Sequence, residues 1–97
     1  METNTLVRQT DLLVGQIAHW TAARWAARGD AVHALVQRLA DAGARAEGEP
    51  SREVPRLADT ALPDQLRVVV ADLVAAQPPA DVLDQLAEDV HAVKLAL

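Results

Sequence analysis

Residues 6–28 read LVRQTDLLVGQIAHWTAARWAAR, the longest run of the chain that fits one uninterrupted helix. At about 100° per residue, the large apolar side chains of this run fall into two adjacent stripes. Together the stripes cover an arc of roughly 160°, wider than one neighbouring helix can cover. The sequence therefore predicts a long first helix over residues 5–28 that packs against two others. The stripes are Leu6, Leu13, Ile17 and Trp20, and Val7, Val14, Ala18 and Trp25.

Gly29 and Asp30 come directly after this run. Gly commonly ends a helix in the left-handed conformation, and Asp commonly caps the next helix. We therefore expect a tight turn here and an antiparallel second helix over residues 31–46. Its predicted buried face consists of Val32, Leu35, Val36, Leu39, Ala42 and Gly43.

Two further helices are predicted in the C-terminal half. Pro63 suits the first turn of a helix, and apolar residues then recur at helical spacing as far as Gln77. Pro78 and Pro79 end this third helix, and a fourth is expected beyond them. Residues 67–74, RVVVADLV, also have strand propensity, but the sequence contains no second strand-like run to pair with them.

Residues 47–59, EGEPSREVPRLAD, lack helical periodicity and contain Gly48 and two prolines. They predict a long connection between the second and third helices, which Val54 and Leu57 could attach to the bundle. The fold class is therefore all-α. We expect a single four-helix bundle-like domain over residues 1–97, with a long first helix and a long loop between helices 2 and 3.

The composition predicts a small core. Of the 97 residues 51% are hydrophobic, but the sequence has no Phe or Tyr and only two Trp. Alanine is the commonest residue, and it forms helices readily while burying little area. A short chain also buries a smaller share of its surface than a long one. We therefore expect a homodimer or another protein partner to complete the core.

The charge distribution argues against nucleic acid and membrane partners. Residues 1–56 contain seven arginines and seven acidic residues, whereas residues 57–97 contain two basic and seven acidic residues. The net charge of −5 thus comes entirely from the C-terminal half, which would repel phosphates and anionic lipids. The sequence has no cysteine, and its N-terminus lacks the pattern of a signal peptide. We expect a cytoplasmic protein.

Two tryptophans are the largest side chains of the predicted first helix. Trp20 and Trp25 lie at opposite edges of its apolar arc, and Trp is common both in cores and at the centres of protein interfaces. Core packing and an interface are therefore both open interpretations. As interaction candidates we take Trp20, Trp25, Leu13 and Ile17.

One helical face carries residues of the kind that bind metals. Asp84, Glu88 and His91 are spaced at i, i+4 and i+7, and Glu-x-x-His occurs in carboxylate-bridged di-metal bundles. However, this face lies roughly 140° from the apolar stripe of the predicted fourth helix, whereas such metal ligands project inward. We therefore predict no metal site. The sequence also lacks a phosphate-binding glycine loop, a nucleophile elbow and a basic recognition helix, so we predict no catalytic or cofactor-binding residues.

Two resemblances bear on function. The fragment GQIAHW, residues 15–20, resembles part of the first helix of DinB-type bundles, in which a His on a long helix helps to bind a metal used in thiol-dependent chemistry. That family has three metal ligands, and neither His33 nor His91 lies in a matching motif. His19 also lies just outside the apolar arc, which favours a surface histidine.

The second resemblance covers most of the chain. The segment VHALVQRLADAGARAEGEPSREVPRLAD, residues 32–59, is rich in Ala and prefers Arg to Lys. In this it resembles small helical proteins of GC-rich actinobacteria that have no assigned function. Our leading hypothesis is a non-enzymatic, self-associating interaction or regulatory module. The alternatives are a DinB-like metal-dependent enzyme remnant and a bundle that binds a small ligand in its core.

Overall fold

Four α-helices make up most of the chain in its computed structural model, which describes the backbone of residues 2–97 and the side chains of residues 5–97. The prediction of an all-α fold of four helices is confirmed, and residues 2–97 contain no strand. The helices are α1 (Glu2–Ile17), α2 (Ala22–Ala46), α3 (Leu62–Ala75) and α4 (Ala80–Ala96), and a short 3-10 turn at Asp59–Ala61 precedes α3. None of these helices combines the length and the apolar character needed to cross a membrane.

The two main packing pairs are α1 with α4 and α2 with α3, and only the second pair joins helices that follow each other in the sequence. α1 packs mostly against α4 and also against α3, while α2 packs mostly against α3 and less extensively against α4. The apolar stripes of all four helices meet in one cluster of buried residues. The largest fully buried side chains are Leu6, Leu13, Ile17, Leu35, Leu39, Leu62, Leu66 and Leu73.

The prediction of one helix over residues 5–28 is wrong. α1 ends at Ile17, and residues 18–21 form a break before α2. Thr21 starts α2 as its cap, since its side chain accepts a hydrogen bond from the backbone N–H of Arg24 at 3.2 Å. In one straight helix Trp20 and Trp25 would point about 140° apart. The break instead brings their rings together edge to face, with centroids 4.8 Å apart.

The turn predicted at Gly29–Asp30 is also wrong, because both residues lie inside α2. Because Gly29 has no side chain, the side chains of Arg56 and Asp59 can approach the backbone of α2 closely here. A Cβ atom there would lie 2.8 Å from Asp59 Oδ1 and 3.0 Å from Arg56 Nη2. Helix α2 therefore starts at Ala22 and not at residue 31, and at 25 residues it is the longest helix of the described chain.

The predicted end of this helix, at residue 46, is confirmed. Gly48 adopts the left-handed conformation, with φ of 70°. Its N–H donates to the carbonyl of Arg45, and the N–H of Glu49 donates to the carbonyl of Ala44. This pair of bonds is the Schellman arrangement, in which glycine tolerates the positive φ that ends a helix.

The two helices predicted in the C-terminal half are confirmed, although α3 ends at Ala75 and not at Gln77. α3 begins at Leu62, and Pro63 lies in its first turn. RVVVADLV is helical, with Val70 and Leu73 buried on one face. The apolar stripe of α4 is buried, with Val93 and Leu97 partly buried beside it; its buried residues are Leu83, Leu86, Ala87 and Val90.

Candidate interaction surface

The long connection, residues 47–58, is held against α2 by polar contacts, and we call it the strap. Gln37 in α2 contacts it at two points. The Gln37 side chain donates a hydrogen bond to the carbonyl of Arg52 at 2.9 Å and accepts one from the N–H of Val54 at 2.8 Å. One turn earlier, His33 Nε2 lies 3.1 Å from the carbonyl of Val54, so this nitrogen carries the proton. Val54 packs on the core as predicted, whereas Leu57 is exposed.

An ion-pair cluster holds the end of the strap. Arg56 Nη2 lies 2.7 Å from Asp59 Oδ1 and 3.4 Å from Asp30 Oδ1. The hydrogen bond to Asp59, together with that to Asp30, raises the pKa of Arg56 above its ordinary value. The cluster lies directly over Gly29, so the strap and α2 meet where α2 has no side chain.

Of the four predicted interaction candidates, three are covered by the chain itself. Leu13 and Ile17 are fully buried, and Trp25 is buried with only 6% of its surface exposed. Trp20, in the break between α1 and α2, is half-buried. The Arg24 guanidinium lies 5.4 Å from the centre of the Trp20 ring and donates a hydrogen bond to the carbonyl of Leu97. Arg24 and Trp20 therefore join the break to Leu97, which follows α4. Of the four candidates, only Trp20 offers a partner some accessible surface.

A shallow apolar groove lies elsewhere, between α1 and α3, and has a volume of about 400 Å³. We call it the α1–α3 groove. Val7 is 38% exposed, so part of the second apolar stripe faces solvent here. Thr10 is buried, and its hydroxyl donates to the carbonyl of Leu6 at 2.9 Å. The groove is lined by Val7, Thr10 and Asp11 of α1 and by Arg67, Val70, Ala71 and Val74 of α3.

The two walls of this groove carry opposite charges. Asp11 is the acidic residue of the α1 wall, and Arg67 is the basic residue of the α3 wall. Both side chains are exposed, and neither forms an ion pair with another residue of the described chain, where the ion pairs are those of Arg56. The groove is thus an apolar strip between two unpaired charges of opposite sign.

Two other grooves are more polar. The one between α2, the strap and α3 has a volume of about 560 Å³, and Glu47, Glu49, Glu53 and Asp72 contribute to its lining. The one between α2 and α4 has a volume of about 640 Å³ and is lined largely by charged residues, among them Arg38, Arg45, Asp81 and Asp89. Both are open at the surface, and neither has the apolar walls of the α1–α3 groove.

The face of α4 that carries Asp84, Glu88 and His91, where we predicted no metal site, is exposed. Asp84, Glu88 and His91 point to solvent beside α1, and His91 Nδ1 lies 3.3 Å from Gln9 Oε1. His19 is exposed in the break. Among the described side chains, no three His, Cys, Asp or Glu residues are placed to hold a metal ion.

Sequence reasoning missed the α1–α3 groove. The second stripe of the first helix included Val7, but the sequence does not state that α3 lies beside it. The available signal was a pair of similar faces: residues 7, 10, 11 and 14 of α1 and residues 67, 70, 71 and 74 of α3 share the same helical spacing.

We compared the chain with protein-family models, curated proteins and solved structures, and found no match in any of the three.

Proposed function

We propose that this chain is a non-enzymatic protein-interaction module and that it self-associates through the α1–α3 groove. The proposal is carried by one observation, the apolar strip of Val7, Ala71 and Val74 that is open at the surface, over the buried Val70, between two charged side chains. Burying such a strip removes apolar area from water at roughly 25 cal/mol per Å². The groove is also too shallow and open to enclose a small ligand, whereas the side chains of a protein partner can fill it.

A second copy of the chain is the partner that the charges favour. A strongly basic partner would face Arg67, and a strongly acidic one would face Asp11. An identical groove presents one charge of each sign and can match both. Self-association also extends a core that contains no Phe or Tyr, since the groove lies directly above the buried part of Val70.

Substitutions on the two faces of α1 test this proposal. Val7→Glu places a carboxylate in the groove, and Leu12→Glu is the matched control. Leu12 is 50% exposed and does not line the groove, since it lies about 140° around α1 from Val7. We expect Val7→Glu to weaken dimerisation at least about tenfold, because a carboxylate in the apolar strip must lose its hydration when the groove closes.

Light scattering over a dilution series measures this effect, and circular dichroism checks that each variant is folded. Leu12→Glu should dimerise like the unmodified chain. Equal dimerisation by both variants would exclude the groove as the interface. A monomeric unmodified chain at all concentrations up to about 100 μM would refute self-association itself.

A further inference from the structure

We infer that two copies close the α1–α3 groove about a two-fold axis that runs along it, so that Asp11 of each chain pairs with Arg67 of the other. This inference rests on the proposed self-association and adds its symmetry and its specific contacts. It follows from where the charges lie on the two walls.

A groove can meet its own copy in two ways with two-fold symmetry. If the axis runs along the groove, each wall faces the opposite wall, and α1 of one chain lies over α3 of its partner. If the axis runs across the groove, each wall faces its own copy, and α1 lies over α1. Both arrangements bury the same valines, so apolar area does not distinguish them.

The charges do distinguish them. Asp11 and Arg67 line the same groove on opposite walls, and neither forms an ion pair within the described chain. With the axis along the groove, each carboxylate meets a guanidinium of the partner, which gives two ion pairs. With the axis across the groove, the acidic wall faces an acidic wall and the basic wall a basic one. Like charges that face each other in an interface disfavour that arrangement.

Charge reversal tests the inference. Asp11→Lys puts two cations in each half of the interface, and Arg67→Glu puts two carboxylates there. Each variant alone should dimerise at least about tenfold more weakly, because both attractive contacts become repulsive. In an equimolar mixture, Lys at position 11 of one chain faces Glu at position 67 of the other, and the native Arg67 and Asp11 face each other. The mixture should therefore recover dimers of close to native affinity.

Two further variants control for net charge. Asp84→Lys and Arg38→Glu make the same changes at exposed positions outside the groove. Each should dimerise with the affinity of the unmodified chain, and mixing the two should not raise that affinity. Salt should weaken the recovery in the groove mixture, since exposed ion pairs are screened.

The outcomes separate this inference from the proposed function. The axis along the groove is supported if each charge-reversal variant alone dimerises more weakly and the mixture of the two recovers close to native affinity. Dimers that are unaffected by either reversal would overturn the inference while leaving self-association in place. Single variants that dimerise more weakly, but whose mixture does not recover, would also overturn it. If the unmodified chain is monomeric, both the two-fold arrangement and the proposed self-association are wrong.

Discussion

Gln37 offers the most direct test of how the strap is held. Gln37→Ala removes the hydrogen bonds to the carbonyl of Arg52 and from the N–H of Val54, at 2.9 and 2.8 Å, and also the bond to Asp41 Oδ1 at 2.9 Å. A hydrogen bond of this kind contributes about 0.5–1.5 kcal/mol net. The two strap contacts are therefore expected to contribute about 1–3 kcal/mol to the free energy of unfolding. Gln and Ala have similar helix propensities, so the substitution leaves α2 itself little changed.

Gln85→Ala is the matched control. Gln85 donates to Asp89 Oδ1 at 3.1 Å, the same i to i+4 pair as Gln37 with Asp41. This hydrogen bond is exposed on the surface of α4, and Gln85 does not contact the strap. Losing it should cost only about 0.2–0.5 kcal/mol. Urea unfolding compares the two variants, and hydrogen exchange reports the Val54 amide, which should exchange faster only in Gln37→Ala. The reasoning is refuted if the two variants unfold within about 0.3 kcal/mol of each other and the Val54 amide is equally protected in both.

Two further predictions concern backbone positions. Gly15→Ala should stabilise the chain by about 0.5–1 kcal/mol, because Gly15 lies inside α1 with no neighbouring atom within 4 Å of an added Cβ. Gly29→Ala should stabilise the chain much less than Gly15→Ala, because its Cβ would displace the ion pair of Arg56 and Asp59. Thermal unfolding that shows the same stabilisation for both variants would contradict the close approach of this ion pair to Gly29. Gln77→Gly should stabilise the chain by about 0.5–1 kcal/mol, since Gln77 has a φ of 52° after the end of α3. Ala76→Gly, at a φ of −74°, should instead destabilise it, and a gain of similar size from both glycines would show that the left-handed conformation is not the cause.

The C-terminal half of the fold could be predicted because its signals are local. The apolar residues of α3 and α4 recur at helical spacing, and the prolines at 78 and 79 separate the two helices. The end of α2 was also predictable, since Gly48 supplies the positive φ. In each case the residues that determine the structure lie within a few positions of it.

The N-terminal half could not be predicted in the same way, because its boundaries depend on distant contacts. Residues 18–21 leave the helix where Trp20 reaches Trp25, and periodicity alone favoured a continuous helix there. Gly29 is a point of close approach for Arg56 and Asp59, about 30 positions later, although the local pattern indicated a turn. The candidate interface depends in turn on α3 lying beside α1, which neither helix encodes by itself.

Sedimentation equilibrium of the unmodified chain beside Val7→Glu measures whether the chain self-associates through the α1–α3 groove. The chain has a mass of 10.4 kDa. We expect the weight-average mass of the unmodified chain to rise with concentration toward about twice this value, while Val7→Glu stays close to the monomer mass over the same range. If the unmodified chain remains at the monomer mass, it does not self-associate. If the mass rises equally for both proteins, the α1–α3 groove is not the interface.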